Sequence, residues 1–272
     1  MPKVLHTDTY TTVRGPKHYA YVNTHNNTCS KSPYSTIQST SEPKTNAQIT
    51  QEVATLLESG VQELIITNQH TTCCIVSQLV AILHDTRHFS IRLTNLYPQM
   101  ITDELMTLMQ QDARILAYVE VVINHHTLNS AGHTLTKLRQ SLPHITISAH
   151  IVVENPDELM ALSQFISETP FENIRSTISN TIQRDLTKTL LEQQLKLVTK
   201  RNTQFIGLQI EVVVEGYHPE SRLLMRGRHD GQCPEIDGSV IINDGRKVTA
   251  FGKKYLVEIT DVSDYDLIGR II

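Results

Sequence analysis

The chain has 272 residues, 39% apolar and 19% charged, with a formal net charge of −4. That composition suits one large or two smaller folded domains and argues against disorder. It offers no global basic field for DNA or an anionic membrane, no apolar run near the ~18 residues of a membrane span, and no signal-peptide core in the first eight residues, so a cytoplasmic protein is expected.

In chain order, residues 19–22 read as a strand. Residues 46–58 carry Ile49, Val53, Leu56 and Leu57 at helical spacing, and Gly60 stands at the helix stop. Residues 63–67 predict a second strand, 74–85 a helix and 90–93 a third strand. A helix over 102–111 opens with capping chemistry at Thr102. The β-branched run 117–123 predicts a strand, followed by a helix over 130–141 and a strand from 145 to 153. Pro156 suits the first turn of a helix running to about 168. A weaker strand over 171–178 precedes a long amphipathic helix over 183–201. One strand–helix pair every 25–30 residues implies right-handed βαβ units and a parallel sheet. Periodicity alone allows either a partial barrel or an open doubly wound sheet.

The glycines divide the chain. Residues 1–204 hold three, and residues 205–272 hold eight. A glycine-punctuated tail predicts a small antiparallel β domain, with Asp244-Gly245 as a hairpin signal. The expected domains are therefore an α/β domain over 1–204 and a β-barrel of OB-like type over 205–272. The tail carries 8 Lys+Arg against 11 Asp+Glu. Bulk electrostatics then favours a basic protein surface over nucleic-acid phosphate as its partner.

The four cysteines are Cys29, Cys73, Cys74 and Cys233. No C-x-x-C pair exists for zinc, and the number is too small for a disulfide scaffold. Cys73-Cys74 reads as small buried residues, because adjacent cysteines rarely bridge without strain. Cys233 reads as a packing residue. His84, His88, His144 and His150 show no metalloprotease-like spacing.

The tail contains Gly227-Arg228, then Cys233-Pro234-Glu235-Ile236-Asp237-Gly238, then Ile259-Thr260-Asp261 and Asp264-Tyr265-Asp266-Leu267-Ile268-Gly269. These segments resemble the C-terminal TRAM domain of the radical-SAM methylthiotransferases, in particular the RimO type that modifies a small-subunit ribosomal protein. The front resembles the same family more loosely, through Pro16-Lys17-His18-Tyr19, Ser59-Gly60-Val61, Gln69, Arg92-Leu93 with Tyr97-Pro98, and Ile115-Leu116 with Asn124-His125. The resemblance implies a partial (βα)6 radical-SAM barrel followed by the small β-barrel. It also implies a 4Fe-4S cluster, S-adenosylmethionine and a further cluster-binding N-terminal domain, which this chain is expected to lack.

The departures carry the functional expectation. The family's C-x-x-x-C-x-x-C loop reads here as His25, Cys29 and Ser32. Three thiolates are needed to leave the fourth iron open for S-adenosylmethionine, and only Cys29 supplies one. The family's glycine-rich G-F-P-G-E segment reads as Val153-Glu154-Asn155-Pro156-Asp157-Glu158, whose Cβ atoms would crowd a cofactor. His25 and Cys29, with Ser32, are the degenerate metal positions. Asn124 and His125, at a strand's C-terminal end, are candidate pocket residues. Glu235, Asp237, Arg228, Asp264 and Asp266 are candidate partner contacts. For Glu235 and Asp237 the competing reading is a β-turn whose carboxylates bond nearby backbone N–H groups. The expected function is that of a catalytically degenerate methylthiotransferase-like protein without a cofactor, binding a ribosomal protein or the ribosome through its acidic tail. One alternative is a divergent active enzyme using the cluster and S-adenosylmethionine. The other is an RNA-binding module acting through the tail.

Overall fold

A computed structural model describes residues 18–26, 42–68, 75–179, 182 and 184–272. Cys29, Ser32, Gln69 and the Cys73-Cys74 pair lie outside the described residues. The strands β1 (Tyr19–Asn23), β2 (Glu63–Thr67), β3 (Ser90–Leu96), β4 (Ile115–Ile123), β5 (Thr146–Val153) and β6 (Asn173–Ile178) form one sheet in that order. The pairs β1/β2, β2/β3, β4/β5 and β5/β6 are parallel. A doubly wound sheet reverses its strand order at a switch point. A strictly sequential order has no such reversal, and this settles the choice in favour of barrel-type winding.

The chain divides into two compact units, residues 1–116 and 117–272. In the first unit, helices α1 (Asn46–Glu58), α2 (Ile75–Leu83) and α3 (Asp103–Gln111) follow β1, β2 and β3. Thr45 caps α1 in a reciprocal capping box with Gln48, and Thr102 caps α3 by accepting from the Leu105 N–H. Strand alternation places Leu64, Ile66, Ile91 and Leu93 on one face of the sheet, all fully buried. The opposite face carries Glu63, Thr67, Arg92 and Thr94, which are also buried.

The second unit repeats this division. Helices α4 (Leu128–Ser141), α5 (Leu159–Glu168) and α6 (Arg184–Asn202) accompany the strands. Val119, Val121, Ile123, Ile147, Ala149 and Ile151 form the apolar face, and Glu120, Ser148 and His150 the polar one. On α6, Leu190, Gln194 and Val198 are buried at i, i+4 and i+8. Near its end Thr199 donates to the carbonyl of Asp264 (3.0 Å) and Asn202 to that of Tyr265 (3.1 Å). These two hydrogen bonds tie the end of the helix to the tail.

The tail strands β7 (Gln209–His218), β8 (Ser221–Arg228), β9 (Val240–Asp244), β10 (Lys253–Ser263) and β11 (Asp266–Ile271) close into a barrel in the order β10-β11-β9-β8-β7. Val212, Val214, Val240, Ile242, Val257, Ile259, Leu267 and Ile271 fill it. Two details differ from expectation. β9 and β11 pair in parallel. Asp244-Gly245 also forms no hairpin, because β9 hydrogen-bonds to β8 and β11, not to β10. Gly245 has a steric reason instead: a Cβ there would lie 2.5 Å from the Met225 sulfur. No helix among the described residues is long and apolar enough to cross a membrane.

Candidate functional site

The C-terminal ends of parallel strands are where barrel folds place their chemistry. In the first unit, β1 ends at Asn23, and Thr24 and His25 follow it, both buried. The Thr24 hydroxyl donates to Asn68 Oδ1 (2.9 Å), and the same oxygen lies 2.9 Å from His25 Nδ1. A hydroxyl has one proton. With that proton given to Asn68, His25 Nδ1 is the donor to the Thr24 oxygen. Asn68 continues the cluster by donating to the Met100 sulfur (3.0 Å). Buried Gln78 on α2 donates to the carbonyls of Thr24 (3.2 Å) and Lys44 (2.9 Å). This fixes the backbone just before the Cys29 segment. Of the three positions expected to match the family's cluster loop, the described residues contain one, His25, buried just after β1. Among the described residues no group of three or more His, Cys, Asp and Glu side chains could hold a metal ion.

The donor set itself tests the fit to an iron–sulfur cluster. It offers one thiolate, one imidazole and one hydroxyl at His25, Cys29 and Ser32. A serine hydroxyl is a poor ligand for cluster iron, and the three-thiolate arrangement is not met. These residues do not fit the group.

In the second unit, β4 ends at Ile123, and Asn124 and His125 follow it. Asn124 is committed to a local turn, in which Thr127 N–H donates to Asn124 Oδ1 (3.0 Å) and Asn124 N–H to Thr127 Oγ1 (2.9 Å). His125 is exposed. The His125 charge acts on Glu158, the last residue of the Val153–Glu158 segment, which is buried after β5. Burial works against the Glu158 charge, but hydrogen bonds from the Asn155 side chain and from the backbone N–H groups of Glu154 and Asn155, together with the His125 charge, hold its carboxyl below the usual range. The Glu154-Asn155 turn therefore folds around its own carboxylate.

A further polar network runs across β4, β5 and β6. Arg175 donates to Glu120 Oε1 (2.5 Å) and to His150 Nδ1 (2.9 Å), and His150 Nε2 lies 2.8 Å from Thr177 Oγ1. Arg175 can only donate, so His150 Nδ1 accepts from it and the ring proton sits on Nε2, facing the Thr177 hydroxyl. Burial and then the Arg175 charge hold the His150 imidazole well below the ordinary histidine range. Glu120 and Arg175 each interrupt an apolar or β-branched strand sequence, and that interruption is the signal by which sequence reading could have found them.

The tail residues separate into two groups. Glu235 and Asp264 are exposed, both in left-handed backbone, at φ 64° and 53°. The other three are committed internally. Arg228 is buried against Glu215 (2.8 Å). Asp266 accepts from the N–H and hydroxyl of Ser239 (2.6 and 2.9 Å). Asp237 accepts from the Tyr118 hydroxyl (2.7 Å), the Ser148 hydroxyl (2.9 Å) and the Cys233 N–H (2.8 Å). The reading of Arg228 and Asp237 as partner contacts is corrected accordingly. The Pro234–Gly238 motif forms a turn as its residue types suggest, but it turns inward onto the sheet.

Comparison with known proteins places these features in context. Residues 206–272 match the family model described as TRAM domain. The chain is 38% identical to the ribosomal protein uS12 methylthiotransferase RimO of Protochlamydia amoebophila, over 94% of this chain and 64% of that protein. It is 34% identical to the protein of the same name from Chlamydia caviae, over 94% of this chain and 66% of that protein. The protein of that name from Citrifermentans bemidjiense is 27% identical across the whole chain. The chain thus spans about two thirds of the length of these relatives.

Proposed function

We propose that this chain, a homologue of the uS12 methylthiotransferases that ends in a TRAM domain, keeps the scaffold as a binding platform and has lost its iron–sulfur chemistry. The observation that carries this reading is the donor set at His25, Cys29 and Ser32, with one thiolate where three are required. Two others support it. The Glu154–Glu158 turn is closed around its own carboxylate. The alignment to the Protochlamydia protein spans 303 positions, more than the 272 residues of this chain, so that relative has internal segments with no counterpart here.

The partner proposed is a basic ribosomal protein of the uS12 type. The tail's charge is −3, and Glu235 and Asp264 present carboxylates on exposed turns. The test is capture of purified uS12 by the purified chain. Glu235→Lys with Asp264→Lys is expected to weaken capture roughly tenfold, by placing like charges against a basic surface. Unchanged capture by that double variant removes the acidic-tail reading. Capture that requires added RNA and falls steeply with salt assigns the platform to RNA instead.

A further inference from the structure

Two connections lie side by side at one end of the tail barrel. The β7–β8 hairpin turns at Pro219 and Glu220, and its register slips between the Tyr217↔Met225 and His218↔Ser221 pairs. Arg222, Leu223 and Leu224 therefore bulge, with no register partner on β7, and a bulge re-aims the side chains it carries. Leu223 is 90% exposed. The β9–β10 loop, residues 245–252, is held against this hairpin at both of its ends. A Cβ on Gly245 would lie 2.5 Å from the Met225 sulfur, and the Gly252 N–H donates to the Val214 carbonyl (2.7 Å). The Tyr255 hydroxyl pins the middle of the loop: it accepts from the Thr249 and Ala250 N–H groups (3.0 and 2.9 Å) and donates to the Ala250 carbonyl (3.0 Å). The Phe251 ring meets Tyr217 edge to face, with centroids 5.4 Å apart. Tyr217, Leu223 and Phe251 are thus three large, exposed apolar side chains at one end of the barrel.

Charge is segregated along the same axis. This end carries Arg222, Arg246, Lys247 and Lys253 against Glu220 and Asp244, although the tail as a whole is acidic. Arg246 is taken by Asp244 (2.7 Å), but Arg222, Lys247 and Lys253 are exposed and make no ion pair among the described residues. β8 and β10 start at this end and run away from it, so the exposed carboxylates of Glu235 and Asp264, which follow those strands, lie at the other. We propose that Tyr217, Leu223 and Phe251, together with Arg222, Lys247 and Lys253 of the same end, are a docking surface for a short acidic protein segment that carries an apolar anchor residue. The cations select the acidic flanks, and apolar contact at Leu223 and the aromatic pair holds the anchor. Three side chains are too little surface for a stable globular interface, which suits a peptide-like segment and not a second copy of this chain. The chemistry also favours protein over RNA. The most exposed of the three groups is aliphatic, whereas bases stack on aromatic planes, and the two rings here are set edge to face against each other. The surface shares no residue with the acidic one proposed for uS12, so the two readings stand or fall separately.

An array of short peptides tests this, with Leu, Phe or Trp at varied positions among Glu and Asp, and with matched controls that carry Lys or Gln in place of every acid. The purified chain is expected to bind a subset of the acidic apolar peptides and none of the controls. For the tightest peptide, followed by fluorescence anisotropy, Leu223→Ser and the double variant Lys247→Glu with Lys253→Glu are each expected to weaken binding roughly tenfold. Glu235→Lys with Asp264→Lys, at the other end, is expected to cause no loss. All these side chains are exposed, so the variants should melt with the wild type. A mixed-sequence single-stranded RNA and vesicles of phosphatidylcholine with phosphatidylserine serve as comparison probes. The proposal is overturned if no acidic apolar peptide binds above its controls, or if either Leu223→Ser or the Lys247/Lys253 double variant leaves peptide binding intact. It is also overturned if RNA or the vesicles bind and are lost in those variants while the peptides are not bound.

Discussion

Glu63→Gln is expected to cost the first unit about 3–5 kcal/mol, the size of effect seen when one partner of a buried ion pair is removed. Arg92 is fully buried, and Glu63 is 7% exposed. The guanidinium Nε lies 2.7 Å from the Glu63 carboxylate. Glutamine fills the same volume, so no cavity opens and the loss is electrostatic. The buried cation keeps its desolvation cost and loses the anion that offset it. Urea unfolding should show a lower midpoint with an unchanged slope. Replacing both residues by methionine should recover most of the loss, because a well-packed apolar pair is often as stable as a buried ion pair. A loss below about 1 kcal/mol for the single variant would show that the pair is not isolated from solvent.

Gly238→Ala carries the second large effect. A Cβ at Gly238 would stand 1.9 Å from the Tyr265 carbonyl oxygen and 2.7 Å from its carbon. Those are backbone atoms and cannot rotate away as a side chain could. The β10–β11 turn must move, and Asn202 bonds that same carbonyl. An overpacking cost of about 3 kcal/mol is expected, at the upper end of the usual range. Gly216 provides the control, since a Cβ there meets nothing within 4 Å. In a thermal melt Gly216→Ala should leave the midpoint within a degree or two of wild type, while Gly238→Ala should lower it by several degrees. Equal midpoints for the two variants would contradict the close approach at Gly238.

The body of the fold was legible because its strands and helices carry strong local periods. The helix over 46–58 and the strand over 63–67 match the observed α1 and β2 residue for residue. Errors arose where the deciding contact is distant in sequence. Asp237 meets Tyr118 across 119 residues and Ser148 across 89, so no local pattern could show that its carboxyl points into the sheet. Asp244-Gly245 failed as a hairpin for the same reason: β9 finds its partners in β8 and β11. The polar face of the sheet was visible in part. A charge such as Arg92 or Glu120 within an apolar strand must be paired when that strand is buried. Its partner, Glu63 on the neighbouring strand or Arg175 two strands away, stands at a register only strand pairing reveals.

Loss of cluster chemistry is the central claim, and the direct measurement is anaerobic reconstitution with iron and sulfide, read by bound iron and visible absorbance. The wild-type chain is expected to bind no more iron than Cys29→Ala does. His25→Cys with Ser32→Cys, which restores three thiolates to the loop, is expected to gain a cluster of about four irons. A stoichiometric cluster in the wild-type chain that is lost on Cys29→Ala would contradict the account.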